Sequence, residues 1–252
     1  MLLKQLLFAS LISCFLSEAI TAQPLDTLRR KDRDGWEFLQ VKKGNNVIAE
    51  GYNHNNVKQG TWTSYWDNGY PQEIANYKNG KRDGVHFLVN QQGGTELVEH
   101  YKDDLLEGPK RVYQTGNSFL TEEIYYSEGK KHGHFNKRYP NGKPQEEANY
   151  NMDRRDGKTI WYYDSGEKAA EYTYKLGEIE GEVAAYHKNG KVSDYGLYKN
   201  NQQTGLWKEF YENGNIKAEG KYASGQKEGA WKEYDENGKL KKTVKYSKDA
   251  LK

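Results

Sequence analysis

The chain has 252 residues, 35 % of them hydrophobic and 29 % charged, with a mean hydropathy of −1.09. Its 38 basic residues stand against 36 acidic ones, a balance that leaves no strong field for nucleic acid or an anionic bilayer. Such polarity would mean disorder if aromatics were scarce, but 21 Tyr, 7 Phe and 6 Trp put the apolar material into amphipathic rings, which suits a thin, half-wet fold.

Residues 1–22 read as a secretory signal peptide. Met1 to Lys4 carry one positive charge, Gln5 to Leu16 are largely apolar, and Ser17 to Ala22 lead into Gln23-Pro24. The apolar run is shorter than the roughly 20 residues a membrane-spanning helix needs, so cleavage is expected after Ala22 and the protein is expected in the periplasm, at the outer membrane or outside the cell. Leu11-Ile12-Ser13-Cys14 resembles a lipobox, which makes lipidation of Cys14 the alternative and the one expected tie to a membrane. With a single cysteine the chain has no disulfide framework. A short lead segment, 23–34, follows.

From residue 35 to residue 252 the chain repeats itself every 24 or 25 residues. Glycines mark the units at Gly35, Gly60, Gly84, Gly108, Gly133, Gly157, Gly181, Gly205 and Gly229, and tyrosines keep step at Tyr52, Tyr77, Tyr101, Tyr126, Tyr150, Tyr174, Tyr198, Tyr222 and Tyr246. A short fixed period is the signature of a repeat architecture. Each unit reads as two short strands, the first carrying aromatics (Trp62 and Tyr65, Trp207 and Phe210, Trp231 and Tyr234) and the second running up to the recurring tyrosine. Asn-Gly stands between them at Asn68-Gly69, Asn141-Gly142, Asn189-Gly190, Asn213-Gly214 and Asn237-Gly238, and predicts type I′ turns with both residues at positive φ. Three residues beyond the tyrosine comes Gly, Asn or Asp, as at Gly80, Asp104 and Gly129, predicting a left-handed position in the turn to the next unit. The expectation is an all-β meander of about eighteen strands in nine hairpin units, forming one elongated, twisted antiparallel sheet whose stability builds unit by unit. Lone hairpins are not stable in water, so aromatic stripes are expected to hold neighbours together. The lysine-rich last segment, Lys239 to Tyr246, reads as a guard against edge-to-edge aggregation.

The pattern G-x-W-x-x-Y-x-x-N-G, followed by E-x-x-Y-x-x-G-x-x-x-G, resembles the variant MORN repeat of bacterial proteins often labelled YwqK-family antitoxins. The likeness runs from about Gly35 to Tyr246. It implies an elongated array of β-hairpins that serves as a scaffold for protein–protein contacts, sometimes with lipid attachment, rather than as an enzyme. Direct toxin neutralisation fits an exported chain only if the toxin acts in the cell envelope, as an immunity protein would require.

No cofactor, metal site or catalytic set is expected. His132-Gly133-His134 brings two imidazoles close without an evident third ligand, and the acidic pairs Glu122-Glu123 and Glu146-Glu147 sit at a repeat-locked position matched by Lys and Arg. A glycosidase would need two carboxylates at a defined separation in a cleft. The candidate binding residues are the adjacent aromatics Tyr65, Trp66, Tyr162, Tyr163, Phe210 and Tyr211, whose members point to opposite strand faces, so one of each pair is free to face outward. A protein partner is the first expectation, with an envelope-acting toxin, or a carbohydrate or lipid, as alternatives.

Overall fold

The computed structural model describes residues 25–32, 34–116 and 119–247, which leaves the leader, Cys14 and the expected cleavage point outside the described residues. Within them, 21 strands run from Leu25–Lys31 to Leu240–Tyr246, and each pairs antiparallel with its neighbours along the chain in a single open sheet. Two of the 21 are two-residue pieces, Leu105–Leu106 and Arg154–Arg155, each separated by one residue from the strand that continues it. The lead segment contributes a strand of its own, Leu25–Lys31, paired residue for residue with Trp36–Lys43. It forms one edge of the sheet, and Leu240–Tyr246 forms the other.

The two turns of each unit exchange the roles that the sequence suggests. Asn-Gly does not form a type I′ turn. In Tyr65–Pro71, Gly69 N–H donates to Trp66 O at 2.8 Å and Trp66 N–H donates to Tyr70 O at 2.8 Å, with only Gly69 at positive φ (83°). That is a type I turn closed by a glycine bulge. Asn68 is right-handed, and its carboxamide ties the loop down: Oδ1 accepts from Tyr70 N–H at 3.1 Å, and Nδ2 donates to Gln91 O in the next unit at 2.6 Å. Asn141, Asn189 and Asn213 repeat both bonds. The type I′ turns are the ones between units, where Asn79-Gly80, Met152-Asp153, Leu176-Gly177 and Ser224-Gly225 all have two residues at positive φ. Leucine at φ 49° and methionine at φ 48° are costly there, since left-handed backbone disfavours any side chain by about 1–2 kcal/mol.

Except for Gly35, which sits in the turn before Trp36–Lys43, the unit-marking glycines lie in strands. Ala75 pairs with His86 and Tyr77 with Arg82, so Asn76 alone faces Asp83, Gly84 and Val85. The same two-residue excess recurs around Gly60, Gly133, Gly181, Gly205 and Gly229, each at positive φ. This bulge bends every inter-unit hairpin and frees a carbonyl for an indole: Trp62 Nε1 donates to Tyr52 O at 2.8 Å and Trp231 Nε1 to Lys221 O at 3.0 Å.

Beyond the bulges the register sets one row of side chains across the sheet. Leu39 faces Gly51, Gly51 faces Trp62, Trp62 faces Ala75 and Ala75 faces His86. Further along, Ile124 faces Phe135 and Phe135 faces Ala148; then come Val183–Gly196, Trp207–Gly220 and Trp231–Val244. Size alternates along this row. An added methyl at Gly51, Gly196 or Gly220 would lie 2.5 Å from a carbon of Trp62, Trp207 or Trp231, so those indoles lie flat on bare backbone. The recurring tyrosines fill the gaps edge-on, with Tyr222 5.7 Å from Trp207 and 5.1 Å from Trp231, ring planes near 80° apart. Val183, Trp207, Ala218 and Trp231 form one buried cluster, and Ile124, Phe135 and Ala148 a second. Cations roof the stripe, as Lys227 does over Trp231 at 3.9 Å and Arg155 over Trp161 at 5.4 Å.

Candidate functional site

The six candidate aromatics occupy equivalent positions in three units, and each is half-buried. Tyr65, Tyr162 and Phe210 each end a strand before the turn within the unit, which is Asn-Gly after Tyr65 and Phe210 and Ser165-Gly166 after Tyr162. Tyr65 donates to Glu50 at 2.7 Å and Tyr162 to Glu147 at 2.9 Å. Burial first, and then the adjacent carboxylate, pushes both phenols up to about 12, so they remain donors throughout the physiological range. The second member of each pair reaches a carbonyl 23 residues on: Trp66 to Val89 O at 2.8 Å, Tyr163 to Tyr186 O at 2.6 Å and Tyr211 to Tyr234 O at 2.9 Å. His187 and Tyr139 make the same tie to Phe210 O and Tyr162 O. These rings therefore staple successive units through their polar ends. The structure gathers the six into no common hollow; Tyr65 and Trp66 line one near Asn45, and Phe210 and Tyr211 another near His187.

Acidic positions are matched across the strands as their spacing suggests. Arg111 holds Glu123 at 2.7 Å, Arg155 holds Glu146, and Lys158 and Lys168 share Glu171. His132 and His134 are both exposed, and among the described residues no three His, Cys, Asp or Glu side chains gather as a metal set.

One polar cluster escapes sequence reasoning. In the third and fourth units the tryptophan row carries the ionisable His86, Glu99 and Lys110, where other units carry Trp, Ala, Gly, Phe, Val, Ile, Tyr or Thr. His86, 5 % exposed, meets Glu99 through Nδ1 at 3.0 Å and Glu73 through Nε2 at 2.9 Å. Glu99, also 5 % exposed, accepts from Tyr101 at 2.9 Å and pairs with Lys110 at 2.8 Å. Its hydrogen bond from His86 is the largest influence holding the carboxyl down at about 2, against the opposing effect of burial. Arg82 donates to the Tyr101 hydroxyl at 3.1 Å and covers its ring at 5.0 Å. With both oxygens of Glu99 and both nitrogens of His86 engaged, the cluster is a closed network that ties three successive units together, from Glu73 to Lys110. The one sequence signal for it is that Trp62, Trp207 and Trp231 have His86 and Lys110 as their counterparts.

On the opposite face, apolar side chains stand open. Tyr195 is 38 %, Leu197 37 % and Leu206 51 % exposed. Tyr195 pairs with Lys208, two residues from Leu206, and Leu197 lies 3.4 Å from the position of a methyl on Gly205, so the three are contiguous. Leu206 continues into a hollow with Gly220, Ala230, Lys221 and Lys232. This is a set of exposed apolar groups bordered by Lys221, Lys232, Glu219 and Glu228, on a face whose row through Tyr195 also carries the less exposed Ile74, Phe87, Val98 and Ile160.

Comparison with curated proteins gives no match. A family model, described as the MORN repeat variant, matches residues 58–79, 131–152, 155–176, 179–200, 203–224 and 227–248. Each matched segment opens two residues before a unit glycine, and the unmatched stretch between 79 and 131 holds the His86–Glu99–Lys110 network. Six 22-residue matches cover just over half of the sequence in the register that the hairpins show, and the chain belongs to the MORN repeat variant family.

Proposed function

We propose that this chain is an exported, bacterial, non-catalytic scaffold that binds a protein partner across the solvent face of its sheet. MORN repeats are in general interaction repeats for proteins or membrane lipids, on a fold that is typically non-catalytic. The observation that carries the proposal is the exposed ridge Tyr195–Leu197–Leu206 on the face opposite the packed tryptophan row. Interaction sites are built from apolar and aromatic anchors with a polar rim, and the lysines around Leu206 supply that rim.

The test is a pull-down from envelope and secreted fractions with the exported chain as bait, followed by titration of the purified captured protein. Tyr195→Ser/Leu197→Ser/Leu206→Ser is the matched control; all three sites are exposed, so the array folds as before. A partner bound by the parent and weakened at least tenfold by the triple variant supports the proposal. Equal binding by both, or retention of glycan or lipid in place of protein, overturns it. The partner's own activity with and without the chain then separates a scaffold, which leaves it unchanged, from an immunity-type antitoxin, which abolishes it.

A further inference from the structure

The last strand ends the sheet in a way that specifies what could extend it. Leu240–Tyr246 is held on one side by Gln226–Tyr234, with Trp231 facing Val244 and Gly229 facing Tyr246. That support is firm, because Trp231 is the most deeply buried large side chain of the array, at 1 % exposure. The other side of the strand has no pairing strand among the described residues. An unpaired strand edge offers a row of backbone donors and acceptors to any extended chain of suitable side-chain chemistry.

The repeat shows what that chemistry is. One unit earlier, the strand equivalent to Leu240–Tyr246 is Ile216–Ala223, and it does have a following strand. There Lys221, the counterpart of Lys245, faces Glu228, and Ala218, the counterpart of Lys242, faces Glu233. Tyr222, the counterpart of Tyr246, packs edge-on against Trp231 from that following strand at 5.1 Å. At the terminal strand these complements are missing. Lys241 and Lys245 are exposed, Lys242 reaches only Glu233 of the preceding strand, at 3.2 Å, and Tyr246 meets a tryptophan only from that strand, at 6.5 Å.

A second copy of the chain is a poor fit. Its N-terminal edge among the described residues, Leu25–Lys31, carries Arg29, Arg30 and Lys31 against the single Asp26, and its own C-terminal edge carries three lysines and no acid. Basic edges repel one another, which blocks end-to-end polymerisation while leaving the edge open to the opposite charge.

We infer that Leu240–Tyr246 is a docking edge for an extended segment of another protein, one that alternates acidic residues with apolar or aromatic ones. An acid lies beside Lys245, as Glu228 does beside Lys221, with the exposed Lys241 further along the strand, and the apolar residues lie beside Val244 and Tyr246. This surface is separate from the Tyr195–Leu197–Leu206 ridge and does not depend on it.

The test is fluorescence anisotropy with the full exported chain and a labelled eight-residue peptide alternating Glu with Val and Phe. Saturable binding is expected, weakening as salt rises, lowered at least tenfold by Lys241→Glu/Lys245→Glu, and unchanged by the triple serine variant of the ridge. The same charge-reversed chain should take up a peptide alternating Lys with Val and Phe. No binding of the acidic peptide at low salt overturns the inference. So does equal binding of a peptide of the same composition with its four Glu in one block, or concentration-dependent polymers of the chain alone in sedimentation velocity. Loss of binding in the ridge variant would return the peptide to the ridge and refute the edge.

Discussion

Gly220→Ala tests the principle on which the array is packed. A methyl at residue 220 would sit 2.5 Å from Trp231 Cδ1, where carbon atoms normally rest about 3.5–4.0 Å apart. The indole must therefore withdraw by about 1 Å or more. It has little freedom to do so, being buried, bonded through Nε1 to Lys221 O at 3.0 Å, flanked by Tyr222 and Tyr246, and roofed by Lys227. Overpacking of this kind costs about 1–3 kcal/mol, and the hydrogen bond put at risk is worth about 1 kcal/mol. Restricting the unfolded chain returns about 0.4–1 kcal/mol, since residue 220 lies outside the positive-φ set and accepts alanine's backbone. The expected net loss is therefore about 1–3 kcal/mol. Urea unfolding followed by tryptophan fluorescence measures it, with hydrogen exchange over Ile216–Ala223 and Gln226–Tyr234 to localise the effect, because repeat arrays open unit by unit. In a Trp231→Val background, which reproduces the smaller residue that Val183 places in the same row, the added methyl should be tolerated, giving a coupling of about 1–3 kcal/mol. A loss below about 0.5 kcal/mol, or the same loss with valine at 231, would refute the packing argument.

The turns and the polar network give further expectations. Leu176→Asn should stabilise the array by about 0.5–1 kcal/mol in thermal unfolding, because asparagine tolerates the φ of 49° that leucine occupies at a cost. Asn213→Ala should lose about 0.5–1.5 kcal/mol and speed exchange in the Asp235–Lys239 loop, since it removes the bonds to Glu236 O and Asn215 N–H. Glu99→Gln should destabilise by about 1–3 kcal/mol in urea, because it leaves His86 and Lys110 facing a weaker acceptor. Its pH dependence has a definite sign. The folded carboxyl is held at about 2 against an ordinary 4.5, so its contribution is complete above about pH 4.5 and is lost as pH falls toward 2. The difference between parent and E99Q stability should therefore shrink over that interval, and a difference that stays constant from pH 6 to pH 2 would contradict the assignment.

Much of this architecture is written in local sequence. Period, two turns per unit, antiparallel meander and tyrosine stripe all follow from residues whose preferences act over a few positions, and Gly80, Asp104 and Gly129 do take the left-handed conformation expected of them. Asn-Gly misleads because its preference for a type I′ turn is weak against tertiary alternatives. The strand pairing on either side selects a type I turn with the glycine alone at positive φ, at Asn237-Gly238 and Ser165-Gly166 as well, and the carboxamides of Asn68, Asn141, Asn189 and Asn213 then bond the next unit. The lead strand Leu25–Lys31 is equally illegible, since nothing in its polar sequence marks it until Trp36–Lys43 supplies a partner.

What only the tertiary structure decides is which side chain rests on which. The unit glycines mark the period, but their role as two-residue bulges appears only with the register, and the register in turn lays Trp62, Trp207 and Trp231 on Gly51, Gly196 and Gly220. His86, Glu99 and Lys110 read as scattered charges along the chain and become one buried network across three neighbouring strand rows. Tyr195, Leu197 and Leu206 likewise become a single exposed ridge when two strands are placed side by side. Backbone preference is local and can be read from a few consecutive residues, whereas packing and charge pairing depend on strands brought together across a shifted register, which is settled by the sum of contacts over the whole sheet.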